Sequence, residues 1–241
     1  PIPLTRSRLT TLTTSPTRGE VVLRKNCSTL PSMPPKLLTP DYWQTACKEL
    51  ARQDAVLKEL IKTHRGQSLQ SRGDPFYCMM RALVGQQISV KAADTIWKRL
   101  EDRVGRVTPS ALAKLKDNEI RAFGFSERKV EYARTLQDFF PRRNTLHYWD
   151  NKEDEDVIAE LVALRGVGRW TAEMFLIFCL LRPNHLPIAD IGLLKAIGKH
   201  YHRNEHPSTA QLDKHRQRWD PWNSVATWYM WRSLDPVAVE Y

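Results

Sequence analysis

The amino-acid sequence predicts an all-α fold, and three observations carry that expectation. From Thr39 onward, apolar residues recur at three- and four-residue spacing, the period of a helix face. Helix-starting residues stand just ahead of those stripes, as at Asp74-Pro75, Ser89 and Ser126. Strand-type alternation is nearly absent, and no internal repeat of solenoid length recurs.

The elements follow in order. Residues 1–36 hold eleven Ser/Thr and six Pro, so 1–38 reads as an irregular arm in which Val21-Val22-Leu23 could form one short strand. Residues 39–241 form the helical domain. Thr39-Pro40 starts a helix that runs to about Thr63, and 65–75 is a loop. Asp74-Pro75 opens a helix through Val84, because proline suits the first helical turn. Gly85-Gln86-Gln87 interrupts it. Ser89 then caps a helix whose stripe is Ala92, Ala93, Ile96, Trp97 and Leu100. Short helices are expected near 109–115 and 118–123, and Ser126 caps a longer one to Phe140. Further helices cover 153–164, 169–181, 191–201, 208–219 and 223–234, with Arg165-Gly166-Val167-Gly168 breaking the chain between the first two.

Composition bounds the partners. The chain has 241 residues, is 41% hydrophobic and carries a net charge of +10, which favours a polyanion such as nucleic acid. Six basic residues and one acid lie in 1–36, so the arm holds half of that excess. Cys27, Cys47, Cys78 and Cys179 are too widely spaced for a CxxC metal site or an iron–sulfur run, and a reducing compartment is expected. The longest apolar run, Met174 to Leu181, falls short of the roughly 18 residues of a membrane span. No apolar signal segment is read at the N-terminus.

The most specific local pattern is Leu164-Arg165-Gly166-Val167-Gly168-Arg169-Trp170-Thr171-Ala172. An amphipathic helix precedes it and an apolar helix follows. Two glycines allow positive φ in a tight turn and leave no side chain over it. Exposed amides at the start of the second helix would then bind an anion, here a DNA phosphate. Val167 would anchor the turn to the core. The plainer reading is an ordinary helix–Gly–helix connection.

Further on, Asp190 is the one acid in the apolar stretch His185-Leu186-Pro187-Ile188-Ala189-Asp190-Ile191-Gly192. Burying a carboxylate is costly unless it is paired. It could simply cap the helix beginning at Ile191, or it could be a reactive group, and one residue can do both.

With the hairpin and this acid in order, the sequence resembles the helix-hairpin-helix DNA glycosylase superfamily, within it the 3-methyladenine DNA glycosylase II branch. The resemblance covers about residues 40–235. It implies a two-lobed all-α fold with the active cleft between the lobes, and Asp190, twenty residues after Trp170, as the essential carboxylate. It implies DNA contacts from Gly166, Val167, Gly168, Arg169 and Thr171, and an alkali ion that could sit on the hairpin carbonyls of Val162, Leu164 and Val167. Bifunctional members place a nucleophilic lysine where this chain has Trp170, so no lyase activity is expected. Lys195 and Lys199 are read as surface charges. The Val84-Gly85-Gln86-Gln87-Ile88-Ser89 turn matches the branch's wedge, with Gln87 at the intercalating position and Gln86 and Ile88 beside it; a polar interhelical turn is the plainer reading. Trp170 and Trp231 match pocket aromatics, while Met174 and Gly192 replace an aromatic and a bulkier apolar residue and suggest a roomier pocket. Ala189 stands where the branch often has a second acid. Trp219, Trp222 and Trp228 are expected in the core. Arg128 and Lys129 could touch phosphate or be solvated.

These implications converge on a monofunctional glycosylase that removes alkylated purines such as 3-methyladenine and 7-methylguanine from duplex DNA by base flipping. No cofactor, no membrane and a monomer are expected, in the cytoplasm of a bacterium or the nucleus of a eukaryote. A glycosylase for oxidised or deaminated bases, or a non-catalytic DNA-binding module, are the alternatives.

Overall fold

Residues 37–234 are described in the computed structural model, and among them there are thirteen α-helices and no strand beyond one bridge between Leu38 and Ser71. The expected strand at Val21-Val22-Leu23 lies outside the described residues.

Where one helix to Thr63 is expected, there are two, α1 (Trp43–Gln53) and α2 (Ala55–Thr63). The break is Asp54. Its backbone is extended, at φ −141° and ψ 116°, and its carboxylate accepts from the N–H groups of Val56 and Leu57 at 2.9 and 3.1 Å. An Asp inside a helical stripe can compete with the backbone in this way, and here it becomes the cap of α2.

The next elements start where the capping residues place them. Asp74 caps α3 (Pro75–Gly85) through Tyr77 N at 3.1 Å. Ser89 caps α4 (Val90–Val104) through Ala92 N at 3.3 Å. On α4, Ala93, Trp97 and Leu100 are buried and Ile96 packs beside them. The short α5 (Pro109–Leu112) and α6 (Asp117–Ala122) precede α7 (Glu127–Phe139), which Ser126 caps. A 3-10 turn, Phe140–Arg142, and a four-residue helix α8 (Leu146–Trp149) are unexpected from sequence. Such a helix is too short to show a stripe; Trp149, fully buried, anchors it.

After α9 (Asp154–Val162) and the glycine hairpin comes α10 (Arg169–Met174), which passes directly into a π-helical turn, Phe175–Cys179. One uniform α-helix is expected there; the π turn adds a residue and re-aims the side chains beyond it. The last helices among the described residues are α11 (Ile191–Tyr201), α12 (Thr209–Trp219) and α13 (Asn223–Arg232).

Two hydrophobic cores result, both inside the compact unit that contains all described residues. The first joins α3, α4, α7 and α9 around Phe76, Trp97, Leu136 and Leu161. The second joins α1, α2, α11, α12 and α13 around Trp43, Leu57, Ile197, Trp219 and Trp228. The helix after the hairpin serves both. Ala172, Phe175, Leu176 and Cys179 enter the first core, whereas Met174, Ile177 and Phe178 enter the second. Each large apolar side chain so buried contributes about 1.5–3 kcal/mol. That shared wall fixes the hairpin, at its start, relative to both cores.

Candidate active site

Asp190 is delivered by a loop tied down along its length. Arg182 donates to the carbonyls of Trp149 and Lys152 at 2.8 Å each, and His185 N donates to Ser224 Oγ at 2.9 Å. Leu186 is buried in the second core, and Asp190 N closes a turn onto Pro187 O at 2.9 Å. The His185 ring lies 3.6 Å from Asp154 and 3.7 Å from Glu173. Burial opposes its protonation, but the two carboxylates outweigh burial and raise its pKa above the ordinary histidine value.

The acid is both a cap and a hub. Asp190 is 8% exposed, and its Oδ1 accepts from Leu193 N at 2.6 Å, capping α11. The same oxygen accepts from Trp231 Nε1 at 2.8 Å, while Oδ2 accepts from Trp170 Nε1 at 2.7 Å. A carboxylate offers about four lone-pair sites. Oδ1 is therefore filled by two donors, and Oδ2, with one, retains acceptor capacity.

The surroundings of this cluster are open on one side. Trp170 is 40% exposed and Ile191 76%. Trp231 is half-buried, with its ring stacked on Phe178 at 5.6 Å and 12°. A Cβ on Gly192 would lie 3.2 Å from Asp190 Oδ1 and 3.4 Å from Trp231, so glycine leaves the gap across which that indole reaches the acid. Met174 does not stand in this open part: it is 3% exposed and belongs to the second core. Phe178, which the sequence did not single out, is the aromatic against Trp231; its position within the π turn hid it from a regular helical count.

The hairpin departs from expectation in three places. Gly166 takes φ +89°, and a Cβ there would meet the Tyr132 ring at 2.3 Å, so both conformation and space require glycine. Gly168 instead has extended backbone, φ −90° and ψ 167°, with nothing within 4 Å of a Cβ; its bareness leaves the start of α10 open and without a side-chain cap. Thr171 is 5% exposed, so its side chain is packed inward. Val167 is buried in the first core and anchors the turn. Arg169 is turned aside: it pairs with Glu155 at 2.5 Å and with Glu173 at 3.2 Å. Glu173 and His185, to which the sequence assigns no role, thus link hairpin and acid loop. Leu164 O accepts Val167 N at 3.1 Å, which closes the turn.

The second motif lies beside the hairpin. Gln86 Nε2 donates to Gly166 O at 3.2 Å. Gln87 is exposed and holds φ +59°, a left-handed conformation rare for a side chain of this type, and Ile88 is 38% exposed. Lys129 Nζ, half-buried, donates to Val84 O and Gln86 O at 2.8 Å each. Arg128 is exposed, as are Lys195 and Lys199. Trp219 and Trp228 are core residues, and Trp222 stacks on Tyr42.

A helical protein with a glycine hairpin, a neighbouring polar turn and a buried acid held by two indoles has the layout of a DNA base-excision enzyme. The family model of the HhH-GPD superfamily base excision DNA repair proteins matches residues 80–221, and the chain belongs to that family. YfjP of Bacillus subtilis, provisionally named a DNA-3-methyladenine glycosylase, is 30% identical over 188 residues, which are 74% of this chain and 66% of that protein. The solved DNA-3-methyladenine glycosidase of Bacillus halodurans is 32% identical with a TM-score of 0.69, over 82% of this chain and 92% of that one. The 3-methyladenine DNA glycosylase of Schizosaccharomyces pombe, solved in complex with abasic DNA, is 26% identical with a TM-score of 0.67, over 78% and 96%. Among the described residues, no helix is long and apolar enough to cross a membrane, and no group of three or more His, Cys, Asp or Glu could hold a metal ion.

Proposed function

We propose that the protein is a monofunctional DNA glycosylase that hydrolyses the N-glycosidic bond of alkylated purines, 3-methyladenine and 7-methylguanine, in duplex DNA. The observation that carries the reading is Asp190, buried, with acceptor capacity left at Oδ2 and held by the indoles of Trp170 and Trp231. Breaking the bond between C1′ and the base builds positive charge on the sugar. Asp190 offsets that charge, and Oδ2 orients and deprotonates the attacking water. The electron pair of the broken bond leaves with the base, which alkylation has made cationic and which departs neutral without a dedicated acid.

The aromatic faces suit that leaving group. Cation–π contacts with Trp170 and Trp231 contribute roughly 0.5–2 kcal/mol each. Selectivity then rests largely on the weakened bond of the lesion. Gln87 fills the stack vacated by the flipped base, and the bare turn at Gly168 takes a phosphate. No amine stands at the lysine position, so the abasic product stays intact.

One experiment tests the reading. Methylated duplex DNA incubated with the protein should release 3-methyladenine and 7-methylguanine, identified by chromatography, and borohydride should trap no protein–DNA adduct. Release of 8-oxoguanine or uracil alone would move the substrate class, a trapped adduct would refute monofunctional chemistry, and binding without release would leave a DNA-binding module.

A further inference from the structure

We propose that Lys129 is a positioning residue that sets the wedge turn for insertion into DNA, acting through the carbonyls of Val84 and Gln86. The inference rests on the reading of Gln87 as the wedge. It starts from the unsatisfied carbonyls that end any helix. α3 stops at Gly85, and the Lys129 ammonium reaches from α7 to two carbonyls of that last turn, at 2.8 Å each. A cation also complements the negative end of the helix dipole. Burial holds this ammonium below the usual lysine range, and the two carbonyls replace the water it gives up.

The turn so held is the one that needs holding. Gln87 sits at φ +59° with its side chain exposed, and a backbone of that kind persists only where its surroundings over-determine it. The surroundings are few. Gln86 is tied on one side to the hairpin, through Gly166 O at 3.2 Å, and on the other to α7, through Lys129. α7 touches the hairpin as well, because the Tyr132 ring fills the space over Gly166. Residues 129 and 132, one helical turn apart, therefore register the wedge turn against the phosphate-binding turn. Lys129 has its contacts on carbonyls, so it adds little to DNA binding as a charge.

The test is a double-mutant cycle between Lys129 and Gln87, read as affinity for an abasic-site duplex and for an undamaged duplex across a salt series. Gln87→Ala should weaken abasic binding about tenfold and leave undamaged binding unchanged. Lys129→Met should cost about five- to tenfold on abasic DNA alone, and close to nothing in the Gln87→Ala background. Lys129→Arg, which can still donate to both carbonyls, should restore the wild-type values, and Lys129→Gln should fall between, which keeps the cycle usable if the methionine variant folds poorly. The dependence of undamaged-duplex binding on salt should not change. A full Lys129→Met loss on top of Gln87→Ala would overturn the proposal. So would equal losses on both duplexes with a salt slope lowered by about 0.9, the mark of a lost phosphate contact. If Gln87→Ala discriminates and Lys129→Met does not, Lys129 fails and the wedge stands; if Gln87→Ala leaves abasic binding intact, the wedge reading falls first and Lys129 with it.

Discussion

Asp54 and Asp190 both cap a helix, both are buried, at 3% and 8% exposure, and both accept hydrogen bonds from two aromatic side chains. Asp54 takes Tyr201 Oη–H at 2.9 Å and Trp219 Nε1 at 3.2 Å, and Asp190 takes Trp170 and Trp231. The local chemistry is nearly the same. The difference lies in what the donors face. Trp219 is fully buried in the second core, and Arg218 lies 3.6 Å from Asp54, so no outside group can approach it. Around Asp190, Trp170, Ile188 and Ile191 are exposed. Exposed apolar surface beside a buried acid marks a place that another molecule covers. A buried, well-bonded Asp is thus a structural strut or a reactive site according to its second neighbours.

The sharpest way to break the comparison is to neutralise each acid. Asp190→Asn should lower single-turnover base release by about a thousandfold, the scale of losing a key electrostatic group. Its unfolding free energy should fall by no more than about 1–2 kcal/mol, because Asn still caps the helix and the exposed Trp170 can turn its freed N–H to water. A near-normal rate would make Asp190 a second Asp54. Asp54→Ala should do the reverse. It strands two buried aromatic donors and a helix cap, and urea unfolding should report a loss of about 3 kcal/mol or more. The rate per folded molecule should not change; a lower rate would mean that the strut also shapes the site.

Acid offers a smaller, reversible version of the same contrast. His215 packs on Tyr201 and Trp219 beside Asp54, and burial, with help from His202 and Arg218, lowers its pKa to about 4. Its native pKa lies below the unfolded one. Above about pH 6.5 both states are neutral and the group contributes nothing. As pH falls, the unfolded chain binds the proton first, so stability drops by about 2–3 kcal/mol between roughly pH 6.5 and 4. His215→Gln should flatten that stretch of the stability curve measured in urea. An unchanged slope would place the acid sensitivity elsewhere.

The sequence by itself determined what depends on residues within a helical turn or two of each other. Caps at Asp74, Ser89 and Ser126, the apolar stripe of α4, the glycine turn and Asp190 at the head of α11 are all readable because capping bonds and stripes span only three or four residues. Tertiary structure alone decided which groups meet across long separations. Trp231 reaches Asp190 over 41 positions and Gln86 reaches Gly166 over 80. Asp54 caps α2 locally, but α11 and α12 also bring Tyr201 and Trp219 to its carboxylate, partners no local pattern announces. Met174 and Thr171 turned inward and Phe178 turned toward Trp231, because the helix carrying them is shared between two cores and leaves the α-helical period at Phe175. Lys129 found carbonyls instead of phosphate for the same reason: a side chain's partner is set by packing, and packing is not written in its neighbours along the chain.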